Sequence, residues 1–161
     1  MFKKKESKKS LLACFDGTSL PVSEVPDVVF SGEMLGKGIA ISPKGDKVKL
    51  YMPADGKISS ISETLHAFNI LTDDGIELLI HVGVDTVELK GSPFEVVCKE
   101  GSHYTAGELL AKVDLEEIKR AEKPTVTPMV ITNPEILDEI TPVYTEVEGG
   151  KDAVIQYKTK R

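Results

Sequence analysis

The sequence predicts an all-β fold, an antiparallel β-sandwich or barrel-like domain with one or two short helices. Three observations predict it. Thirteen glycines and nine prolines cut the 161 residues into short apolar pieces. Turn signals separate those pieces at Pro43–Asp46, Ala54–Gly56, Asp73–Gly75, Gly91–Pro93, Ala106–Gly107 and Gly149–Gly150, the punctuation of many short strands. Helical periodicity is thin throughout.

Taken in order, strands are expected at Gly38–Ile41, Val48–Tyr51, Lys57–Ile61, Ala67–Leu71, Ile76–Val84, Thr86–Leu89, Phe94–Val97, Leu109–Val113, Thr127–Ile131, Val143–Glu146 and Ala153–Tyr157. Asp114–Ala121 and Pro134–Ile140 each suit a short helix. Asp114 and Asn133 would be their N-caps, with Pro134 at the first helical position. No internal repeat of solenoid length occurs. The expected organisation is a flexible Lys-rich tail over residues 1–15 and one domain over residues 16–161.

Hydrophobic residues make up 40% and charged residues 29%, an ordinary globular balance. No apolar run approaches the length of a membrane span, and Met1–Ser10 lacks the apolar stretch of a signal peptide. Two distant cysteines, Cys14 and Cys98, form neither a CxxC pair nor a disulfide framework, so a reducing, cytoplasmic setting is expected. The net charge of −6 is uneven: five lysines against one glutamate make the first ten residues basic and leave the body at −10. An acidic body argues against nucleic acid and suits a basic protein partner. The basic tail allows at most peripheral contact with anionic lipid.

The chemistry concentrates between Glu63 and Leu89. Within Ile76–Asp85, the aliphatic Ile76, Leu78, Ile80, Val82 and Val84 share one face, so His81 falls on the other. Gly83 weakens a strand and would leave an open approach to the imidazole. His66 precedes the turn at Asp73-Asp74-Gly75. A two-residue Asp-Gly loop puts His66 diagonal to His81 on one face, roughly 7–8 Å apart at the backbone. A four-residue loop puts the two directly opposite, whereas a three-residue loop without a bulge puts them on opposite faces. Paired imidazoles beside Thr64 suit phosphoryl chemistry: one ring attacks phosphorus, the other donates to its oxygens, and the hydroxyl fixes a tautomer. The competing reading is that two of the three histidines merely share a sheet face. Val28, Val29 and Phe30 after Asp27, together with Phe68, read as an apolar docking rim or simply as core. His103 has no evident partner.

Several segments carry a resemblance: Val25-Pro26-Asp27-Val28-Val29-Phe30, Gly38-Ile39-Ala40-Ile41-Ser42-Pro43, Pro53-Ala54-Asp55-Gly56, Thr64-Leu65-His66-Ala67, the run Leu79 to Leu89 and Thr127 to Asn133. From about Leu20 to Asn133 the chain resembles enzyme IIA of the glucose class of the bacterial phosphoenolpyruvate-dependent sugar phosphotransferase system. The resemblance implies a β-sandwich of the duplicated hybrid type and a phosphocarrier. The small carrier HPr, in its phosphorylated form, would donate to His81, and a cysteine of a IIB domain would receive. His66 would support the phosphoryl group, with Thr64 hydrogen-bonded to it. Asp27, Val28, Val29, Phe30 and Asp85 would meet partners. The resemblance implies no required cofactor and zinc on His66 and His81 only in a partner complex; a carrier that docks two partners in turn is expected to be a monomer.

Three rivals are weaker. A zinc peptidase built on His66, His81 and Asp85 lacks an H-x-H pair and a third strong ligand. A lipoyl-type carrier is suggested by Gly101 to Leu110, but the lysine that would be modified is absent. A regulatory module that keeps the fold without carrying phosphate has no need of both histidines.

Overall fold

The computed structural model describes residues 9–160. In chain order the described elements are β1 Lys9–Leu12, β2 Gly17–Pro21, α1 Val28–Ser31, β3 Lys37–Pro43, β4 Lys47–Tyr51, β5 Gly56–Ile61, β6 Ala67–Thr72 and β7 Glu77–His81. There follow β8 Phe94–Val96, β9 His103–Tyr104, β10 Leu109–Asp114, α2 Leu115–Arg120, β11 Thr127–Ile131, β12 Leu137–Pro142, β13 Glu146–Val147 and β14 Ala153–Thr159. All strand pairs are antiparallel. An eight-stranded sheet runs β13-β2-β3-β11-β7-β6-β5-β9, and two three-stranded sheets run β1-β14-β12 and β4-β10-β8.

The three sheets enclose one main core. Ile39, Ile41, Ile58, Phe68, Ile70, Leu78, Ile80, Met129 and Ile131 of the large sheet meet Leu11 and Ile155 of one small sheet and Leu50, Phe94 and Val113 of the other. Alternation then puts Ala40, Leu79 and Val130 on the opposite face, where they meet a second, smaller cluster with Val22, Val25, Phe30 and Val84. Segment 22–31, a 3-10 turn followed by α1, therefore covers one end of the large sheet's outer face. This double cover explains why all five residues of β11 are buried.

The all-β expectation holds, with differences at particular elements. Residues 9–15, assigned to a flexible tail, instead form β1 and a stretch in which Leu11, Ala13, Cys14 and Phe15 are fully buried. The apolar Leu11, Ala13, Cys14 and Phe15 are drawn into the core despite the polar residues before them; residues 1–8 lie outside the described residues. Thr86–Leu89 is a 3-10 helix and not a strand. Gly83 and Asp85, both with φ in the left-handed region, turn the chain out of the sheet, and the Thr86 hydroxyl donates to the Val82 carbonyl at 2.6 Å. The helix expected at Pro134–Ile140 is a 3-10 turn over Pro134–Ile136 that leads into β12, because pairing with β14 overrides the helical start. Asn133 caps nothing there: its side chain accepts from Glu77 N and donates to the Gly75 carbonyl, bracing the β6–β7 turn. The strand expected at Val143–Glu146 is displaced to β12 and β13. Helix α2 does form, with the Asp114 carboxylate accepting from Glu117 N at 3.1 Å.

Candidate functional site

The two histidines meet at strand ends. The imidazole centroids of His66 and His81 lie 4.7 Å apart, edge to face at 77°. The route to this contact is not the one expected. Strands β6 and β7 pair Ala67 with His81, Phe68 with Ile80 and Leu71 with Glu77, and a three-residue turn, Asp73-Asp74-Gly75, connects them. Continued strand alternation would then send the two rings to opposite faces. Alternation does not reach His66, because β6 begins at Ala67 and Leu65 sits at φ 63 in the left-handed region. His81 is likewise the last residue of β7. A single bond ties the two ends together at this point, Val82 N donating to the His66 carbonyl at 2.8 Å.

Each ring is fixed through its Nδ1. For His81, Nδ1 lies 2.7 Å from the Gly83 carbonyl, which only accepts, so Nδ1 carries the proton and Nε2 keeps its lone pair. For His66, Nδ1 lies 2.7 Å from Thr64 Oγ1 and 3.3 Å from Ser62 Oγ. Burial and the neighbouring His81 push the His66 pKa down, with a backbone interaction from Thr64 partly opposing. Burial also lowers the His81 pKa; the Gly83 carbonyl and the carboxylates of Asp27 and Asp85 act in the opposite sense. Both rings are thus neutral near pH 7, the state in which a ring nitrogen is a nucleophile.

Gly83 has a different role from the one its position in the sequence implies. Its φ is +75, and a Cβ there would stand 2.6 Å from Thr86 Cγ2 and 2.7 Å from the Pro124 carbonyl. The residue is needed for a tight backbone turn that aims its carbonyl at His81. Phe30 packs on the other side of His81, with ring centroids 5.1 Å apart. The ring gets there because Asp27 caps α1, its carboxylate accepting from Val29 N at 2.9 Å.

The remaining expected residues divide by burial. Val28 is 72% exposed beside the site and Val29 half-buried, whereas Phe30 is only 4% exposed. Phe30 serves as a wall for His81. Phe68 is fully buried in the main core opposite Ile80, so it offers no surface to a partner, contrary to expectation. Asp85 is exposed at the start of the 3-10 turn, and beyond it Lys123 pairs with Glu88. His103 does have a partner: its Nε2 lies 2.9 Å from an Asp73 carboxylate oxygen. Ser62 joins the site unannounced: no local pattern marks it, and only the fold puts its hydroxyl 3.3 Å from His66 Nδ1. Both cysteines are free and buried, which pushes their thiols up and removes them as competing nucleophiles. Among the described residues no group of three or more His, Cys, Asp or Glu could hold a metal ion.

The site is thus a neutral imidazole with one nitrogen anchored and the other free, beside a second imidazole. Residues 9–137 match the model of the phosphoenolpyruvate-dependent sugar phosphotransferase system, EIIA 1, and the chain belongs to that family. It is 37% identical to the glucose-specific EIIA component of Haemophilus influenzae over 161 aligned positions, covering 98% of this chain and 96% of that protein. It is 46% identical to the glucoside-specific EIICBA component of Staphylococcus carnosus over 76% of this chain, but spans only 18% of that longer protein. The structure superposes on glucose permease IIA from Mycoplasma capricolum with a TM-score of 0.86 and 34% identity, covering 97% of this chain and 99% of that one. The chain is a phosphotransferase-system component, a phosphocarrier in sugar transport. No helix among the described residues is long and apolar enough to cross a membrane.

Proposed function

We propose that His81 accepts the phosphoryl group on Nε2 from phospho-HPr and passes it to a cysteine of a IIB domain of a glucose-class permease. The observation that carries this reading is the 2.7 Å contact from His81 Nδ1 to the Gly83 carbonyl, which leaves Nε2 unprotonated beside His66. The Nε2 lone pair forms a new N–P bond as the donor's P–N bond breaks and its electron pair returns to the donor nitrogen. Attack leaves positive charge on the His81 ring. The Nδ1–H bond to Gly83 and the carboxylates of Asp27 and Asp85 stabilise that charge. His66 donates from Nε2 to a phosphoryl oxygen, with Thr64 holding Nδ1. Onward transfer reverses the sequence: a thiolate forms the S–P bond and the N–P pair returns to Nε2.

Val28, Val29, Asp27 and Asp85 frame the site as an acidic, partly apolar rim for a basic carrier. Phe30 contributes through His81. Transfer of this kind requires no cofactor. Two imidazoles fit half of a tetrahedral zinc site, so zinc would bind there only with ligands from a docked partner. A carrier that docks two partners in turn works as a cytoplasmic monomer, with at most peripheral contact with anionic lipid through its Lys-rich N-terminal segment.

The test is intact mass at alkaline pH after incubation with phosphoenolpyruvate, enzyme I and HPr. One added phosphoryl group is expected in the wild type, none in His81→Gln, and one in His66→Gln with onward transfer to the IIB domain impaired. A wild type that takes no phosphate beside a working relative would overturn the carrier role.

A further inference from the structure

Thr64 alone does not choose a tautomer for His66. Its hydroxyl can donate to Nδ1 or accept from it, and its backbone interaction draws the ring towards protonation. Yet support of a phosphoryl group on His81 requires the proton of His66 to sit on Nε2, with Nδ1 as acceptor. A second group must settle the matter.

Ser62 has the right constraints. Its Oγ already accepts from Ala67 N at 3.1 Å, and it lies 3.3 Å from His66 Nδ1. Its backbone is held on both sides, Ser62 N donating to the Ala67 carbonyl and Leu65 N donating to the Ser62 carbonyl, both at 2.9 Å. The hydroxyl is therefore stationary and half-buried. With Nδ1 unprotonated, its lone pair accepts from Thr64 at 2.7 Å and is shared with the Ser62 hydroxyl at 3.3 Å, a three-centre arrangement that gives both protons an acceptor. With Nδ1 protonated, the one N–H goes to Thr64 at 2.7 Å, and the serine proton faces a donor. A half-buried hydroxyl left without an acceptor is the costlier arrangement.

We propose that Ser62 is a positioning residue for phosphoryl transfer: by donating to His66 Nδ1 it holds the helper imidazole in the Nε2–H tautomer. The role rests on the carrier reading above, but its signature is measurable without phosphate. Nitrogen-15 spectra of histidine-labelled protein distinguish the two tautomers directly. In the wild type His66 shows the Nε2–H form and His81 the Nδ1–H form. Ser62→Ala shifts His66 towards Nδ1–H and slows phosphoryl turnover roughly three- to ten-fold. Ser62→Thr, which keeps the hydroxyl, restores the Nε2–H form and the rate.

His81 is the internal control, because its tautomer is set by Gly83 and stays unchanged in every variant. General disruption of the loop would move both rings. A wild-type His66 already in the Nδ1–H form overturns the proposal, and this holds even if Ser62→Ala does not fold. So does a folded Ser62→Ala protein whose His66 tautomer is unaltered. Failure of the wild type to take phosphate would overturn the carrier reading and leave the tautomer result standing, so the two failures are distinguishable.

Discussion

Two neutral histidines in contact have a consequence for stability. Their pKa values lie below the ordinary value of about 6.5, so over the interval between folded and unfolded values the unfolded chain binds more protons. Stability then rises with pH: the contribution of these rings is complete above about 6.5 and is lost as pH falls through their folded values. Urea titrations from pH 7.5 down to 5.5 should show a falling midpoint, with a shallower fall in His66→Gln. An equal slope in that variant would mean that His66 does not titrate in this range. The second prediction concerns Gly83. An alanine there meets Thr86 and the Pro124 carbonyl at under 3 Å in a left-handed backbone. Gly83→Ala should cost about 1–3 kcal/mol and slow phosphorylation by displacing the carbonyl that holds Nδ1, checked by denaturation and by initial transfer rates. The identities of His66, His81 and Thr64 were legible in the sequence. Ser62 was not, because a serine in a loop takes its meaning from the ring it touches.

At the scale of elements, α1 shows how a four-residue helix can matter. It is too short to persist on its own propensity, so its cap and its buried Phe30 hold it. Asp27→Ala should destabilise the protein by about 1 kcal/mol through loss of the cap. It should also loosen the Phe30 contact with His81, seen as a change in the ring-current shift of the His81 protons. An unchanged shift would show that packing alone places Phe30. Elements with both local signals and long-range pairing, such as β11 and α2, were readable in advance. Thr86–Leu89 misled because β-branched residues favour strands, while the decisive feature was the pair of positive φ values just before it. The β6–β7 register misled for a related reason. Strand parity does not govern His66, which lies just outside β6.

At the scale of the molecule, the core is assembled from distant parts of the chain. Leu11, Ala13, Cys14 and Phe15 are fully buried, and β1 is held at its outer end by Asp74, which accepts from Thr72 and Tyr157 and pairs with Lys9. Burial alone would raise the Asp74 pKa, but those hydrogen bonds and the Lys9 charge outweigh it and hold the carboxyl below its usual range. A chain starting at Asp16 should therefore fail to fold cooperatively, seen as loss of the sharp thermal transition. Retention of that transition would show that β14 and the main core persist without β1. Tyr157→Phe should cost about 1.5–3 kcal/mol by removing a hydrogen bond to a charged acceptor. The sheet order was the part least legible in the sequence, since pairings such as β1 with β14 join residues that no local pattern connects.

That same pairing bears on how the domain could be rearranged. Lys9 stands opposite Tyr157, so the first and last described strands run side by side, neighbouring backbones about 4.7–5.5 Å apart. Entry to and exit from the sandwich share one corner. A short glycine-serine bridge could join them, and the chain could be opened anew at an exposed turn such as Lys44–Gly45, giving a circular permutant with the same sheets and the same histidine pair.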